Sequence, residues 1–235
     1  MPAGCVIGVD LGGTKLLAGV VDPDLNVHHR AHRWARGADA AEVLDIIAGA
    51  VREVRDASDV HVRGVGIGIP SLVDQRHGTA VSTVHYPLTD VPIRDLMAER
   101  LGLPVWIDND ANCALLAEHR AGAAAGTAHA VMYTLGTGIG GAIIVDGKLV
   151  RGVGGGAGEL GHMTVVLDGP RCPCGSHGCL ELYASGNALG REGRRVAAES
   201  PGSRLGQALA AGREITGALV TELAHDGDQI GRAHV

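Results

Sequence analysis

An internal repeat, offset by 124 residues, restricts the possible fold of this chain more than any other part of its sequence. The segment V-I-G-V-D-L-G-G-T-K-L-L-A-G-V-V-D at residues 6–22 aligns without a gap on A-V-M-Y-T-L-G-T-G-I-G-G-A-I-I-V-D at residues 130–146. The identities include Leu11 with Leu135, Gly12 with Gly136, Ala18 with Ala142 and Asp22 with Asp146. Each segment has the pattern of a strand, a glycine turn and a second strand. Chance similarity between two hairpins is the alternative, but the order of the surrounding elements favours duplication into two lobes, residues 1–120 and 121–235.

Between the repeats, strand patterns alternate with helix patterns, which predicts an α/β fold. Helical spacing of apolar residues marks 40–57, 92–101 and 111–125, and apolar runs predict strands at 27–33, 62–69 and 105–108. In the strand at 62–69, glycines alternate with Val65, Ile67 and Ile69. One face of that strand therefore lacks side chains, so that backbone or a ligand can approach it closely.

Charge and cysteine usage exclude several classes of protein. The formal net charge of -6 gives no reason to expect a polyanion as a generic partner, since nucleic-acid binding usually needs a basic face. A local basic patch is the alternative, and we expect no nucleic-acid partner. Residues 121–145 contain no Asp, Glu, Lys or Arg, but their glycines indicate two strands and a turn, so we expect no membrane span. Three of the five cysteines cluster and the N-terminus lacks a secretory pattern, which predicts a cytoplasmic protein.

The first glycine turn, D-L-G-G-T-K, has the composition of a phosphate-binding turn. Backbone N–H groups at Gly12 and Gly13 stand clear of side chains, while Thr14 adds a hydroxyl and Lys15 a cation. Asp10 is suited to hold Mg²⁺ through water. A tight hairpin with a structural aspartate is the alternative for this turn taken alone.

The second turn, T-L-G-T-G-I-G-G, strengthens the first interpretation because it places Thr137 and Gly138 at the matching position of the repeat. Two facing turns of this kind predict a nucleotide bound between two lobes. The chain has no G-x-x-x-x-G-K-[ST] motif and is therefore not a P-loop protein.

W-I-D-N-D-A-N-C, at residues 106–113, ends a predicted strand and begins a predicted helix. We interpret Asp110 as a general base beside a hydroxyl nucleophile, and Asn109 as the group that orients that nucleophile. The alternative makes Asp110 an N-cap and nothing more.

A third group of residues has metal-binding spacing. C-P-C-G-S-H-G-C supplies Cys172, Cys174 and Cys179 in a C-x-C-x₄-C array, which predicts a structural zinc site with no direct catalytic role. Either His162 or His177 completes the site, and spacing does not decide between them. Three reduced thiols in a surface loop are the alternative. Two nearby carboxylates are too hard for a sulfur-rich zinc site and are assigned to a hydroxylated substrate: Glu159 and Glu181.

These motifs together resemble the ROK family, which contains repressors and sugar kinases, and in particular its bacterial ATP-dependent glucokinases. The resemblance covers residues 6–185 and includes D-L-G-G-T-K, I-D-N-D-A-N, L-G-T-G-I-G-G and G-E-L-G-H followed by C-x-C-G-x-x-G-C-x-E. It implies an actin-like, ribonuclease-H-like fold of two lobes, a homodimer, and transfer of phosphate from ATP with Mg²⁺ to the 6-hydroxyl of glucose. Asp110 would be the base, His162 the fourth zinc ligand, and the substrate ligands would be Asn109, Asp110, Glu159, His162 and Glu181.

Two departures from the family pattern widen the expectations. V-H-Y-P-L, with His85, stands where glucokinases carry an asparagine-aromatic stretch, which leaves N-acetylmannosamine, N-acetylglucosamine or fructose as alternative sugars. Nothing near residue 235 matches the family's closing elements, so we expect an incomplete second lobe whose adenosine pocket is missing or supplied by another chain. A silent sugar-binding fragment is a further alternative. A repressor is disfavoured, because the first predicted strand begins at residue 5 and leaves no room for a DNA-binding helix-turn-helix.

Overall fold

The structure, a computed structural model, describes residues 4–13, 15–35, 39–83 and 86–227; Thr14 and His85 lie outside these ranges. The chain divides into two compact units. Unit 1 comprises Met1–Met132 and Ala142–Gly158, and unit 2 comprises Tyr133–Gly141 and Glu159–Val235. The assignment of lobes to residues 1–120 and 121–235 stays a prediction.

Strands and helices alternate through most of unit 1, and helices dominate the end of unit 2. The strands are β1 Cys5–Leu11, β2 Lys15–Val21, β3 Val27–Trp34, β4 Val62–Ile69, β5 Ser71–Asp74, β6 Thr79–Thr83, β7 Val105–Asn109, β8 Ala130–Leu135, β9 Ile139–Val145 and β10 Lys148–Leu149. The helices are α1 Ala40–Asp56, α2 Ile93–Leu101, α3 Asp110–Ala121, α4 Glu181–Ala184, α5 Gly186–Glu199, α6 Arg204–Ala210 and α7 Gly217–His225, and a 3₁₀ turn covers Leu160–His162.

The main sheet of unit 1 has the order β3-β2-β1-β4-β7. Strands β1, β2 and β3 pair antiparallel through short turns, whereas β1 with β4 and β4 with β7 pair parallel, because helices connect them. Helix α1 covers this sheet with Val43, Ile47 and Val51, which are fully buried, and a capping box between Asp39 and Glu42 fixes its start.

The predicted elements of unit 1 are confirmed, and only one predicted boundary differs from the observed one by more than one residue. Helix α3 ends at Ala121 and not at residue 125. The carboxylate of Glu118 accepts the N–H of Ala123 at 2.7 Å, and the Glu118 carbonyl accepts the N–H of Ala124. These bonds turn the chain out of the helix. The β5-β6 pair was not predicted from the sequence.

Strands β8, β9 and β10 form a separate sheet of order β10-β9-β8, and the boundary between the units passes through β8 and β9. The two predicted strands and turn at 121–145 are confirmed in this sheet. Among the residues that the structure describes, no helix combines the length and apolar character needed to cross a membrane.

Helices α5, α6 and α7 build the core of unit 2 around Leu205, Ile215 and Val220. Each starts at a hydroxyl side chain that accepts the N–H three residues on: Ser185, Ser203 and Thr216. These helices were not predicted from the sequence.

Candidate active site and metal centre

The turn between β7 and α3 presents Asn109 and Asp110. The Asn109 Oδ1 accepts the N–H of Asn112 at 3.1 Å, so Asn109 is the N-cap of α3. The interpretation of Asp110 as the N-cap is therefore wrong. Asp110 is the first residue of the helix, and its Oδ1 accepts the N–H of Ala111 at 2.9 Å. The glycine face of β4 lies beside this turn, since a side-chain carbon at Gly68 would be in ordinary van der Waals contact, at 3.5 Å, with the Cα of Asp110.

An ion pair lies directly behind this turn and was not found from the sequence. Asp108 is 8 % exposed, and its Oδ2 accepts from Nε and Nη2 of Arg151 at 2.8 and 2.6 Å. Its Oδ1 accepts the backbone N–H of Asn109 at 2.8 Å and the side-chain amide of Asn112 at 3.0 Å. The only sequence signal for these contacts was the polar motif D-N-D-A-N, which places Asp108 and Asn112 on either side of Asp110.

The predicted base and the predicted Mg²⁺ ligand lie in one acidic region of unit 1. Burial, together with the nearby carboxylates of Asp108, Asp110 and Asp10, raises the pKa of the Cys113 thiol to about 12, while Arg151 opposes the shift. Burial also raises the pKa of Asp10. Asp10 is nevertheless exposed at the surface near the end of β1, and its carboxylate has the hard oxygen donors that Mg²⁺ prefers, so Asp10 fits the predicted metal role.

The first glycine turn is fixed at Gly12. Its N–H donates to the Lys15 carbonyl at 2.8 Å, and its carbonyl accepts from the hydroxyl of Tyr86 at 2.7 Å. Burial raises the pKa of Tyr86, which keeps that hydroxyl protonated as a donor. The ammonium of Lys15 lies 5.0 Å from the centroid of the Trp34 ring, within cation–π range. Gly13 lies in the same turn.

The second glycine turn lies in unit 2 and is held from two sides. The Gly136 N–H donates to the Gly138 carbonyl at 3.0 Å, and the start of α5 donates to carbonyls of the turn: Gly186 to Gly136 at 2.8 Å and Asn187 to Thr137 at 3.1 Å. Glu181 Oε2 accepts the N–H of Ile139 at 2.8 Å. The structure thus brings Thr137, Gly138 and Glu181 together, a contact that the sequence did not indicate.

The predicted metal ligands form a tight cluster in unit 2. One ligand atom from each of His162, Cys172, Cys174 and Cys179 lies within 4.8 Å of all the others. The His162 Nδ1 is 3.5 Å from the Cys172 Sγ, and the Cys174 and Cys179 sulfurs are 3.7 Å apart. Two sulfurs bound to one zinc at about 2.3 Å lie about 3.8 Å apart in a tetrahedron, so this set fits zinc.

Of the two histidines left open by spacing, the structure places His162 in the cluster, as the family resemblance implied. A backbone hydrogen bond from Ser176 lowers the pKa of Cys174, which favours the thiolate that binds metal, whereas desolvation raises the pKa of Cys179. Gly178 has a φ of 62°, and a side chain there would meet the carbonyl of Val166, so only glycine fits this turn.

The G-E-L-G-H segment carries Glu159 and His162 at the two ends of a 3₁₀ turn, closed by a bond of 3.0 Å from the His162 N–H to the Glu159 carbonyl. Gly161 lies against the Ile139 carbonyl with no room for a side chain. Within unit 2 the structure therefore assembles Glu159, His162 and Glu181 around the start of β9. Asn109 and Asp110 belong to unit 1.

The fold and these motifs define a family. Residues 6–234 match the sequence pattern of the ROK family, and the chain belongs to that family. Its predicted α/β, actin-like and ribonuclease-H-like fold is confirmed by a solved structure, a ROK family glucokinase from Streptomyces griseus in complex with glucose and AMPPNP. The TM-score is 0.84 at 39 % identity, over 97 % of this chain and 73 % of that chain.

Several curated relatives, including the following two, are named glucokinase. The chain is 40 % identical over 198 residues to that of Streptomyces coelicolor, which covers 84 % of this chain and 62 % of the relative. It is 40 % identical over 193 residues to that of Thermotoga maritima, covering 81 % of this chain and 60 % of the relative. The chain thus spans a little under two thirds of the length of these relatives.

Proposed function

We propose that this chain phosphorylates a hexose at its 6-hydroxyl with ATP, and that the hexose is glucose. The observation that carries the proposal is the placement of Asp110 at the start of α3, next to Asn109 and in the same acidic region as Asp10. Support comes from the glucokinase relatives and from the similar structure that holds glucose and an ATP analogue.

Each motif has a role in this reaction. Asp110 accepts the proton of the sugar hydroxyl as it attacks the γ-phosphate, and Asn109 orients the sugar with Glu159, His162 and Glu181. The glycine turns at Gly12–Gly13 and Thr137–Gly138, with Thr14 and Lys15, hold the phosphates. Because the Gly12 N–H closes the first turn by donating to the Lys15 carbonyl, the phosphate contacts come from the remaining backbone N–H groups and the Lys15 cation. Mg²⁺, held by Asp10, would neutralise charge on the transferred phosphate. Zinc on His162 and the three cysteines would brace residues 158–181, called the sugar loop here because they carry the proposed sugar ligands Glu159, His162 and Glu181. It would do so without touching the reacting atoms.

A coupled kinase assay with purified protein tests the proposal. We expect turnover of glucose, and about a thousandfold loss in Asp110→Ala, since general-base catalysis typically contributes 10²–10⁴. Asp59→Ala, which removes an exposed carboxylate from the same unit, is the matched control and should keep full activity.

The other sugars decide the substrate. Phosphorylation of N-acetylmannosamine, N-acetylglucosamine or fructose with none of glucose would replace glucose as the substrate. Calorimetric binding of glucose without turnover of any sugar would instead identify a silent sugar-binding protein. Sedimentation of the same sample tests the homodimer that the family resemblance implies.

A further inference from the structure

We propose that Asp108 and Arg151 are positioning residues for phosphoryl transfer: their ion pair holds the Asn109–Asp110 turn in the geometry in which Asp110 takes the substrate proton. The inference rests on the proposed role of Asp110. Neither residue touches the reacting atoms in this scheme, and both act through the backbone that carries the base.

The first support is the way in which Asp108 divides its acceptors. Oδ2 receives two donors from Arg151, and Oδ1 receives the N–H of Asn109 and the amide of Asn112. Arg151 thereby fixes one edge of the carboxylate, and the other edge fixes the residue that precedes Asp110. A charge-assisted pair with two donors sets an orientation more strictly than a single bond.

The second support is the buried contact between Asp108 and Asn112. Asn112 is 4 % exposed, and its amide nitrogen donates to the Asp108 Oδ1 at 3.0 Å. Leaving a buried donor unpaired is unfavourable, so this contact holds Asp108 against the first turn of α3. The same carboxylate oxygen thus ties the backbone of Asn109 to the helix that begins with Asp110.

The third support is the anchoring of Arg151. Its carbonyl accepts the N–H of Ala157 at 3.0 Å, which closes a glycine-rich loop, and Gly152 enters that loop with a φ of 71°. Gly155 packs against β5, where a side-chain carbon would lie 2.6 Å from the Val73 carbonyl. The guanidinium thus projects from a backbone that is fixed on both sides, as a positioning group requires.

Kinetics of Arg151→Met and Arg151→Lys test the proposal. For Arg151→Met we expect kcat for glucose to fall about tenfold to a hundredfold, since a misplaced base loses rate steeply, with an unchanged KM for ATP. Arg151→Lys keeps the positive charge but replaces the two guanidinium donors with a single ammonium group. Its kcat should therefore lie between those of Arg151→Met and the wild type. Arg120→Met, which removes an exposed arginine from the far end of α3, is the matched control and should keep the wild-type kcat.

The assays are run well below each variant's melting temperature, so that a merely destabilised protein retains its kcat. A double variant, Asp108→Asn with Arg151→Met, should lose no more rate than the worse single variant if the two residues act as one unit. If the fold losses in kcat of the two single variants multiply in the double variant, the two residues act independently, which would overturn the proposal.

Amide hydrogen exchange separates this inference from the proposed function. In Arg151→Met the Asn109 N–H should exchange faster, because Asp108 is no longer held to accept it, while amides in α1 stay unchanged. A wild-type chain without kinase activity would remove the proposed function, and faster exchange would still show that the pair fixes the turn. Wild-type exchange and wild-type kcat in Arg151→Met would overturn the inference.

Discussion

Glu181 makes a contact that gives one carboxylate two tasks. Its Oε2 accepts the N–H of Ile139, the residue that follows the Thr137–Gly138 turn, and a side chain at Gly138 would collide with the same oxygen. The sequence assigned Glu181 to the sugar alone. We propose that it also braces the second phosphate turn, so that loss of its charge and loss of its acceptor have different consequences.

Two substitutions at Glu181 separate these tasks. Glu181→Gln loses the charge but keeps an oxygen that can accept the Ile139 N–H. We therefore expect a higher KM for glucose and an unchanged KM for ATP. Glu181→Ala loses both functions and should raise both constants, the ATP value by about tenfold, as expected for one lost charge-assisted hydrogen bond. Steady-state kinetics measure both constants. Glu214→Ala, at an exposed site in the same unit, is the control, and equal ATP constants for Gln and Ala would refute the bracing role.

At the scale of elements, hydrogen bonds between backbone groups organise the sugar loop. The Val165 N–H donates to the Gly178 carbonyl at 2.8 Å, and the Leu180 N–H donates to the Met163 carbonyl at 2.9 Å, so the ligand segment runs beside the G-E-L-G-H segment. His162 belongs to both segments, since it ends the 3₁₀ turn and joins the cysteine cluster. Metal at this cluster would therefore fix the position of the predicted sugar ligands.

Replacement of Cys174 tests this coupling. Cys174→Ser removes one of four ligands, so zinc content should fall well below one per chain, and glucose affinity should fall about tenfold although Cys174 does not contact the sugar. Atomic emission gives the zinc content and calorimetry gives the affinity. Cys5→Ser, in β1, is the matched control. An unchanged glucose affinity in zinc-free Cys174→Ser would break the link between metal and substrate.

Elements with a local sequence pattern could be predicted from the sequence. Features that depend on contacts between distant residues could not. The alternation of Val65, Ile67 and Ile69 with glycine located β4 correctly at Val62–Ile69, and the repeat located both hairpins. The D-N-D-A-N motif draws attention to Asp108, but its partner Arg151 lies 43 positions away, and no local pattern identifies it. The helices of unit 2 were missed because glycines such as Gly190 and Gly193 lower helix propensity, although they allow close packing against residues 216–220.

At the scale of the whole molecule, the two units have separate hydrophobic clusters. The cluster in unit 1 is built on β1, β2, β4 and α1, and that in unit 2 on α5, α6 and α7. The predicted zinc ligands all lie in unit 2, whereas the two tryptophans, Trp34 and Trp106, both lie in unit 1. Tryptophan emission therefore reports on unit 1, while the far-ultraviolet circular dichroism also contains the helices of unit 2.

Chelation of the metal is expected to separate these two signals on heating. Removal of zinc leaves three thiolates and an imidazole without their ion, so the helices of unit 2 should unfold at least about 10 °C lower, because a loss of a few kcal/mol shifts the melting of a small domain by that much. The transition in tryptophan emission should stay in place. Cys174→Ser, which already lacks the metal, is the control and should not respond to the chelator. An equal shift of both signals would show that unit 1 depends on the metal as strongly as unit 2 does, which would contradict a brace confined to the sugar loop.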